Sequence, residues 1–208
     1  MALAFLSVLL AYLLGSLPTA YIFGKFLRGI DIRQHGSGNV GATNVLRVIG
    51  KGPGIAVFVI DCAKGFAAVA VLPELINKIF PGQLSGGDVF RLSLAGAVIA
   101  GHIWTCFLSF KGGKGVATTA GAMLGLYPAV FISGLIVWIM VFYLWKYVSL
   151  ASIAAAVSLP VFSILTNESL TTTAFMAALS LLAIYSHRDN VKRLIQGTEA
   201  RFVKMKKM

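Results

Sequence analysis

Two glycine-rich stretches carry the residue types that chemistry on a phosphate would need. His35-Gly-Ser-Gly-Asn-Val-Gly-Ala-Thr-Asn44 places Gly36, Gly38 and Gly41 among Ser37, Asn39, Thr43 and Asn44, with Arg47 close behind. Such a run offers backbone N–H groups unobstructed by side chains, and successive donors of this kind form concave anion sites. Its spacing is that of a dinucleotide fingerprint, but that fingerprint works between a strand and a helix. Here a long apolar run precedes it, so a dinucleotide is excluded on context. What remains is a phosphate cradle or a flexible loop that merely contains glycine.

The second stretch is Phe110-Lys-Gly-Gly-Lys-Gly-Val-Ala-Thr118. Lys111 and Lys114 flank Gly112 and Gly113, and Gly115, Thr118 and Thr119 lead into a helix whose free N–H groups and dipole would attract an anion. The stretch lacks the full spacing of a Walker loop, which excludes nucleotide hydrolysis as a reading. Two loop lysines alone are also what any cytoplasmic membrane loop carries; paired with the first stretch they point to anion binding.

A third polar group follows the last apolar run: His187, Asn190 and Arg193, then Gly197 and Glu199. Positions 187, 190 and 193 share a face if the preceding helix continues past the membrane. His187 could serve as a base or orient a phosphate by donating a hydrogen bond, and orientation is the preferred reading. The segment Lys146-Tyr-Val-Ser149 adds a hydroxyl.

These groups must be positioned by membrane helices. Of 208 residues, 58% are hydrophobic and 12% charged, with a mean hydropathy of +0.85; soluble domains are roughly one-quarter charged. Several stretches approach the roughly 20 apolar residues that cross a hydrocarbon core about 30 Å thick. The sequence predicts an all-α, polytopic membrane protein forming one integral domain over 1–208. Its seven spans run over about 2–27 (bent at Pro18), from near Pro53 to before Pro81, 89–110, 116–126, 128–145, 149–165 and 171–186. The fourth and fifth are divided at Pro128, because one helix over 115–145 would be on the order of 45 Å long. The fourth is too short to cross alone and borrows thickness from its flanking loop. Residues 1–24 lack the basic start of a secretory signal and should stay as the first span.

Lysine and arginine in short loops mark the cytoplasmic side. Seven spans gather Lys25, Arg28, Arg33, Arg47, Lys51, Lys111, Lys114, Lys146 and the group from Arg188 to Lys207 on one side, leaving Lys78 and Arg91 opposite. The N-terminus is then outside and the C-terminus cytoplasmic. The formal charge of +11 is spread over loops rather than one soluble face, so anionic lipid headgroups and phosphorylated small molecules are expected partners, not nucleic acid.

Within the spans, Asp61 and Lys64 are three residues apart and can pair on one helix face, about 12 Å along the helix from its inner end. Such a pair marks function or fixes helix packing. Gly121 and Gly125 read as a close helix contact, and His102 as a packing histidine. Cys62 and Cys106 fall in apolar segments and receive no chemistry.

The three motifs, in this order and between these spans, resemble the PlsY family of bacterial membrane acyltransferases, as do Ile60-Asp-Cys-Ala-Lys-Gly65 and Ser149 in Val148-Ser-Leu-Ala-Ser152. The resemblance covers nearly the whole chain. It implies seven spans in the bacterial cell (inner) membrane with a cytoplasmic active site, transfer of a fatty acyl group from acyl phosphate to glycerol 3-phosphate, and no metal or nucleotide cofactor. No obligate protein partner is inferred. The candidate catalytic residues are His187, Ser37 and Lys111. Gly36, Gly38, Asn39, Gly41, Thr43, Asn44 and Arg47, together with Gly112, Gly113, Lys114, Ser149, Asn190 and Arg193, would bind the two phosphates or the carbonyl. One departure is the segment after Gly101-His102, where the family commonly has proline and this chain reads Ile103-Trp-Thr-Cys-Phe107; it bears on the local bend of the third helix.

An acyl phosphate is an activated mixed anhydride, so no covalent enzyme nucleophile is required, and lysophosphatidate and phosphate would result. The His-x4-Asp signature of other acyltransferases is absent, since Val40, Phe107 and Lys192 stand five positions after the three histidines. The chief rival from residues alone is an organic-anion carrier, because broken helices with glycine-rich ends also bind carried substrates. A carrier should show two matching halves and a basic outer loop, and neither is present. A purely structural membrane subunit would leave three glycine-rich or cationic loops without a purpose.

Overall fold

A computed structural model of the chain describes residues 2–84 and 87–202. Lys204, Lys206 and Lys207, counted above with the cytoplasmic cations, lie outside the described residues. All regular structure among the described residues is helical, and the chain divides into two compact units, Met1–Pro128 and Ala129–Met208.

The first unit opens with α1 (Ala2–Ser16) and α2 (Thr19–Arg28). The break falls at Leu17 and Pro18, where proline supplies no N–H for a helical bond. A single turn, Ile32–Gln34, and the first glycine stretch lead to the short α3 (Ala42–Val48), which the apolar pattern did not reveal. The next span is α4 (Lys51–Phe66), a widened turn at Ala67–Val71 and α5 (Leu72–Ile79). Pro73 accounts for the widening, since it cannot donate to the carbonyl one turn earlier and its ring crowds that carbonyl. Then come α6 (Asp88–Ile103) and α7 (Val116–Leu126).

Glycines let these helices touch backbone to backbone, the usual device where lipid removes the hydrophobic drive to associate. A Cβ on Gly15 would strike the carbonyl of Val98 in α6, and one on Gly101 the carbonyl of Tyr12 in α1. The same reciprocity joins α4 to α7: Gly65 faces the Thr118 carbonyl and Gly121 that of Cys62. The close contact expected at Gly121 is thus present. Gly125 likewise rests against Val69 and Phe66.

In the second unit, α8 (Pro128–Trp145), α9 (Val148–Leu165) and α10 (Leu170–Ser186) follow one another, and α11 (Arg188–Ile195) closes the regular structure. Trp138 Nε1 donates to Ser152 Oγ at 3.2 Å across α8 and α9, and the hydroxyls of Ser163 and Thr173 meet at 2.8 Å across α9 and α10. Ile132, Ile136, Ile139 and Met140 remain more than half exposed along α8, as suits a face whose solvent is lipid.

Five stretches are long and apolar enough to cross a bilayer: Ala2–Arg28, Lys51–Ile79, Asp88–Leu108, Pro128–Trp145 and Val148–Leu165. Leu170–Ser186 joins them only when taken with Arg188–Ile195, from which it is bent by 60°. Val116–Leu126, with 11 residues, reaches roughly 16 Å at about 1.5 Å per residue. Among the described residues five stretches, or six with the bent pair, qualify as spans by length and composition, against the seven expected. The condition for positions 187, 190 and 193 to share one face, that the preceding helix continues, is not met: α10 and α11 are bent by 60° at His187. There ψ of 10° leaves the helical range, while the N–H and the ring Nδ1 of His187 both turn to the carbonyl of Ala183.

Candidate functional site

The first glycine stretch is wound around one side chain. Asn44, 1% exposed, presents its Nδ2 to the carbonyls of Ile32, His35 and Asn39 at 3.0–3.1 Å, and its Oδ1 accepts the N–H of Ser37 at 2.9 Å. The glycines follow from that hub. Gly36 and Gly38 have φ of 62° and 70°, where a side chain costs about 1–2 kcal/mol; a Cβ on Gly36 would also collide with Asn44 Oδ1. Asn44 was expected among the substrate ligands; in the structure both its polar atoms bond the backbone between Ile32 and Asn39. Ser37 and Gly36 are exposed, Asn39 and Thr43 half-buried, and Arg47 is exposed on α3.

Beneath lies an apolar cluster of Ala20, Ile32, Val40, Val45, Val57 and Leu108. At the loop's entry Arg33 Nη2 meets Asp31 Oδ2 at 2.7 Å, and that guanidinium holds the Asp31 carboxyl down at about 2.

The second stretch docks on the end of α6. That helix stops at Ile103, and the Thr105 hydroxyl accepts the Phe107 N–H to cap the following turn, Cys106–Leu108. Ser109 and Phe110 then take φ of 53° and 60°, uncommon for residues with side chains, and reverse the chain. Gly112 N–H donates to the Ile103 carbonyl at 2.9 Å and Gly113 N–H to the His102 carbonyl at 3.0 Å. Gly112 and Gly113 were expected to bind substrate; their N–H groups are taken by the end of α6, and a Cβ would strike the His102 carbonyl at Gly112 and the His102 ring and Val40 carbonyl at Gly113. Lys111 is exposed and Lys114 half-buried on either side of this seat. A Cβ on Gly113 would come within 2.6 Å of the Val40 carbonyl, so the two glycine stretches touch.

Asp61 and Lys64 pair as expected, with Lys64 Nζ 2.8 Å from Asp61 Oδ1, both buried. His102 Nδ1 stands 3.7 Å from the same oxygen.

In the second unit one carboxylate gathers three of the expected ligands. Ser149 Oγ and Asn190 Nδ2 donate to Glu199 Oε1, and Arg193 Nε donates to Oε2, each at 2.7 Å. Burial pushes the Glu199 carboxyl up, but these donors outweigh it and hold it below the usual glutamate value. Gly197, with φ of 70°, turns the chain after α11 so that Glu199 folds back. Past it, Phe202 N–H donates to the Lys146 carbonyl at 2.8 Å and Arg201 Nε to the Tyr147 hydroxyl at 3.0 Å. Glu199 was visible as part of the third motif but not as its centre; the available signal was a single acid amid Arg193 and Arg201.

His187, 3% exposed, has Nδ1 2.8 Å from the Ala183 carbonyl. A carbonyl only accepts, so Nδ1 carries the proton, and in the neutral ring Nε2 is the acceptor. Among the described residues no group of three or more His, Cys, Asp or Glu side chains could hold a metal ion.

Residues 5–197 match the family model described as glycerol-3-phosphate acyltransferase. The glycerol-3-phosphate acyltransferase of Desulforamulus reducens is 43% identical over 189 residues, 91% of this chain and 90% of that protein. That of Desulforudis audaxviator is 44% identical over 202 residues, 97% of each. Among solved structures, the crystal structure of PlsY (YgiH), an integral membrane glycerol 3-phosphate acyltransferase in its glycerol 3-phosphate form, superposes with a TM-score of 0.85 at 38% identity over 96% of each chain. Its lysophosphatidic acid form gives 0.83, again at 38% identity, over 96% of this chain and 95% of that one.

Proposed function

The chain belongs to the glycerol-3-phosphate acyltransferase family, and on that premise we propose that it transfers a fatty acyl group from acyl phosphate to glycerol 3-phosphate, releasing lysophosphatidate and phosphate. The carrying observation is that the matched stretch, 5–197, takes in all three polar motifs through Arg193. The two units act as one integral domain. It crosses the cell membrane seven times, with the short α7 completing a span through its flanking loop, and the positive-inside bias puts the site and C-terminus in the cytoplasm.

In this reading the exposed edge of the first glycine stretch, with Ser37, Asn39, Thr43 and Arg47, cradles one phosphate. Lys111 and Lys114 with Ser149, Asn190 and Arg193 hold the other phosphate or the carbonyl under attack. The substrate hydroxyl adds to the acyl carbon, the carbonyl oxygen takes the negative charge, and the C–O bond to phosphate breaks with its electron pair. His187, with Nδ1 turned to the Ala183 carbonyl and Nε2 the acceptor atom of the neutral ring, is the candidate to take the hydroxyl proton, with a phosphate oxygen of the substrate as the alternative acceptor. No acyl-enzyme forms, because the leaving phosphate is already activated.

Magnitudes favour positioning over proton transfer. Holding two anionic substrates in line supplies on the order of 7–11 kcal/mol, and a preorganised donor to the oxyanion roughly 3–4. A general base contributes a factor of about 10²–10⁴. The acyl tail lies among the helices, open to the bilayer.

The test mixes purified protein in detergent with acyl phosphate and labelled glycerol 3-phosphate. Labelled lysophosphatidate is expected; its absence, with accumulation of glycerol 3-phosphate in sealed vesicles, would support an anion carrier instead.

A further inference from the structure

The buried pair Asp61 and Lys64 lies where the chain segments feeding both glycine stretches diverge. Lys64 Nζ donates to the Leu17 carbonyl at 3.0 Å, at the break between α1 and α2. Thr19, the first residue of α2, donates its hydroxyl to Asp61 Oδ1 at 3.0 Å. The pair therefore bridges both sides of the break at Pro18, and α2 leads from it directly to the first stretch. On its other side stands His102, 3.7 Å from Asp61 Oδ1. The carbonyls of His102 and Ile103 accept Gly113 and Gly112, and the His102 ring lies against the Cα of Gly113. Thr105 ties the end of α6 to the Ser16 carbonyl just before the break. A cavity of ≈ 10 Å³ is walled by Thr19, Val40, Asp61, His102 and Gly112, so Asp61 and both stretches share one lining.

Building on the acyl-transfer reading, we infer that Asp61 and Lys64 are positioning residues: they fix the first glycine stretch, through α2, against the Lys111–Lys114 stretch, through His102. Neither touches substrate. A buried ion pair is weak as a source of stability, and neutral replacement of both partners is often tolerated; what such a pair supplies is geometry. A displacement of about 1 Å in a positioned site can cost on the order of 10²-fold in rate.

The test compares the wild-type chain with Asp61→Asn/Lys64→Met, which removes both charges together, in kinetics and in amide hydrogen exchange. The expected result is a protein with near wild-type melting temperature, a KM for at least one phosphate substrate raised ten-fold or more, and faster exchange confined to 35–44 and 110–115. A role limited to stability would instead lower the folded fraction, and apparent kcat with it, at unchanged KM, and would quicken exchange throughout α4 and α7. That pattern, or unchanged KM and loop exchange in a folded double variant, overturns the inference. If the double variant does not fold, Thr19→Val, which deletes one bond to Asp61, must show the same loop-confined exchange or the inference fails. If the wild-type chain makes no lysophosphatidate, the activity reading falls by itself and the exchange measurement still decides the positioning role.

Discussion

Ser149 and Glu199, fifty residues apart in sequence, are joined by a 2.7 Å hydrogen bond in which the Ser149 hydroxyl donates to Oε1. With Asn190 and Arg193 on the same carboxylate, Glu199 holds three candidate ligands in register. Glu199→Gln keeps an acceptor for Ser149 and Asn190 but turns an NH₂ group toward Arg193. Turnover should fall at least ten-fold, measured with saturating substrates.

The same site has a pH signature. The folded pKa of Glu199 is held down by its donors, so its contribution to stability is full above the ordinary glutamate value of about 4.3 and is lost as pH falls through the depressed value. Melting temperatures of wild type and Glu199→Gln in detergent should differ most near neutral pH and converge as pH falls below the ordinary glutamate value. A gap that stays constant on acidification contradicts this.

Asn44 should tolerate no replacement. Alanine removes the acceptor for Ser37 N–H and the donor to three carbonyls, and aspartate keeps the first but cannot donate. Leaving such buried groups unpaired costs about 1–3 kcal/mol each. Thermal unfolding should show both variants destabilised, Asn44→Asp no less than half as much as Asn44→Ala, with faster amide exchange over 35–44.

Two glycines should respond oppositely to alanine. In Gly121→Ala the new methyl would fall on the Cys62 carbonyl, and forcing α4 and α7 apart costs about 1–3 kcal/mol. At Gly134 in α8 the nearest atom to a built Cβ is the tip of Leu159 at 3.3 Å, with the Ala155 carbonyl at ordinary contact distance, 3.8 Å, so Gly134→Ala should stay within about 1 kcal/mol of wild type, helped by the lower entropy of the unfolded chain. Equal melting temperatures for the two variants would refute the close-contact account.

Among the cations, Arg47→Ala, Lys111→Ala and Lys114→Ala should each lower kcat/KM at least as much as His187→Ala, because placing two phosphates outweighs proton transfer in the estimates above. Near-normal rates in the cation variants would overturn the electrostatic reading.

Much of the helix plan was readable from local punctuation. Val116–Leu126 and Pro128–Trp145 begin and end where Gly115, Tyr127 and Pro128 predicted, since proline and glycine act on the backbone within a residue or two. The pairing of Asp61 with Lys64 was readable for the same reason: three residues on a helix always bring side chains to one face. The α3 helix was not, because its seven residues follow a glycine run and carry no full apolar period. Nor was the bend at His187, where ψ of 10° leaves the helical range while the ring Nδ1 joins the residue's own N–H at the Ala183 carbonyl.

By itself the sequence determined the membrane class, the helix breaks at Pro18 and Pro128 and the inventory of polar residue types in the three motifs, all of which depend on composition and on spacings of a few residues. Tertiary structure decided which polar atoms remain to meet a ligand. Asn44 turns inward to its own loop, the amides of Gly112 and Gly113 go to the end of α6, and Ser149, Asn190 and Arg193 collect on Glu199. A hydrogen bond is formed by atoms about 3 Å apart, and for these groups that proximity is set by the packing of segments distant in sequence, which no local pattern encodes.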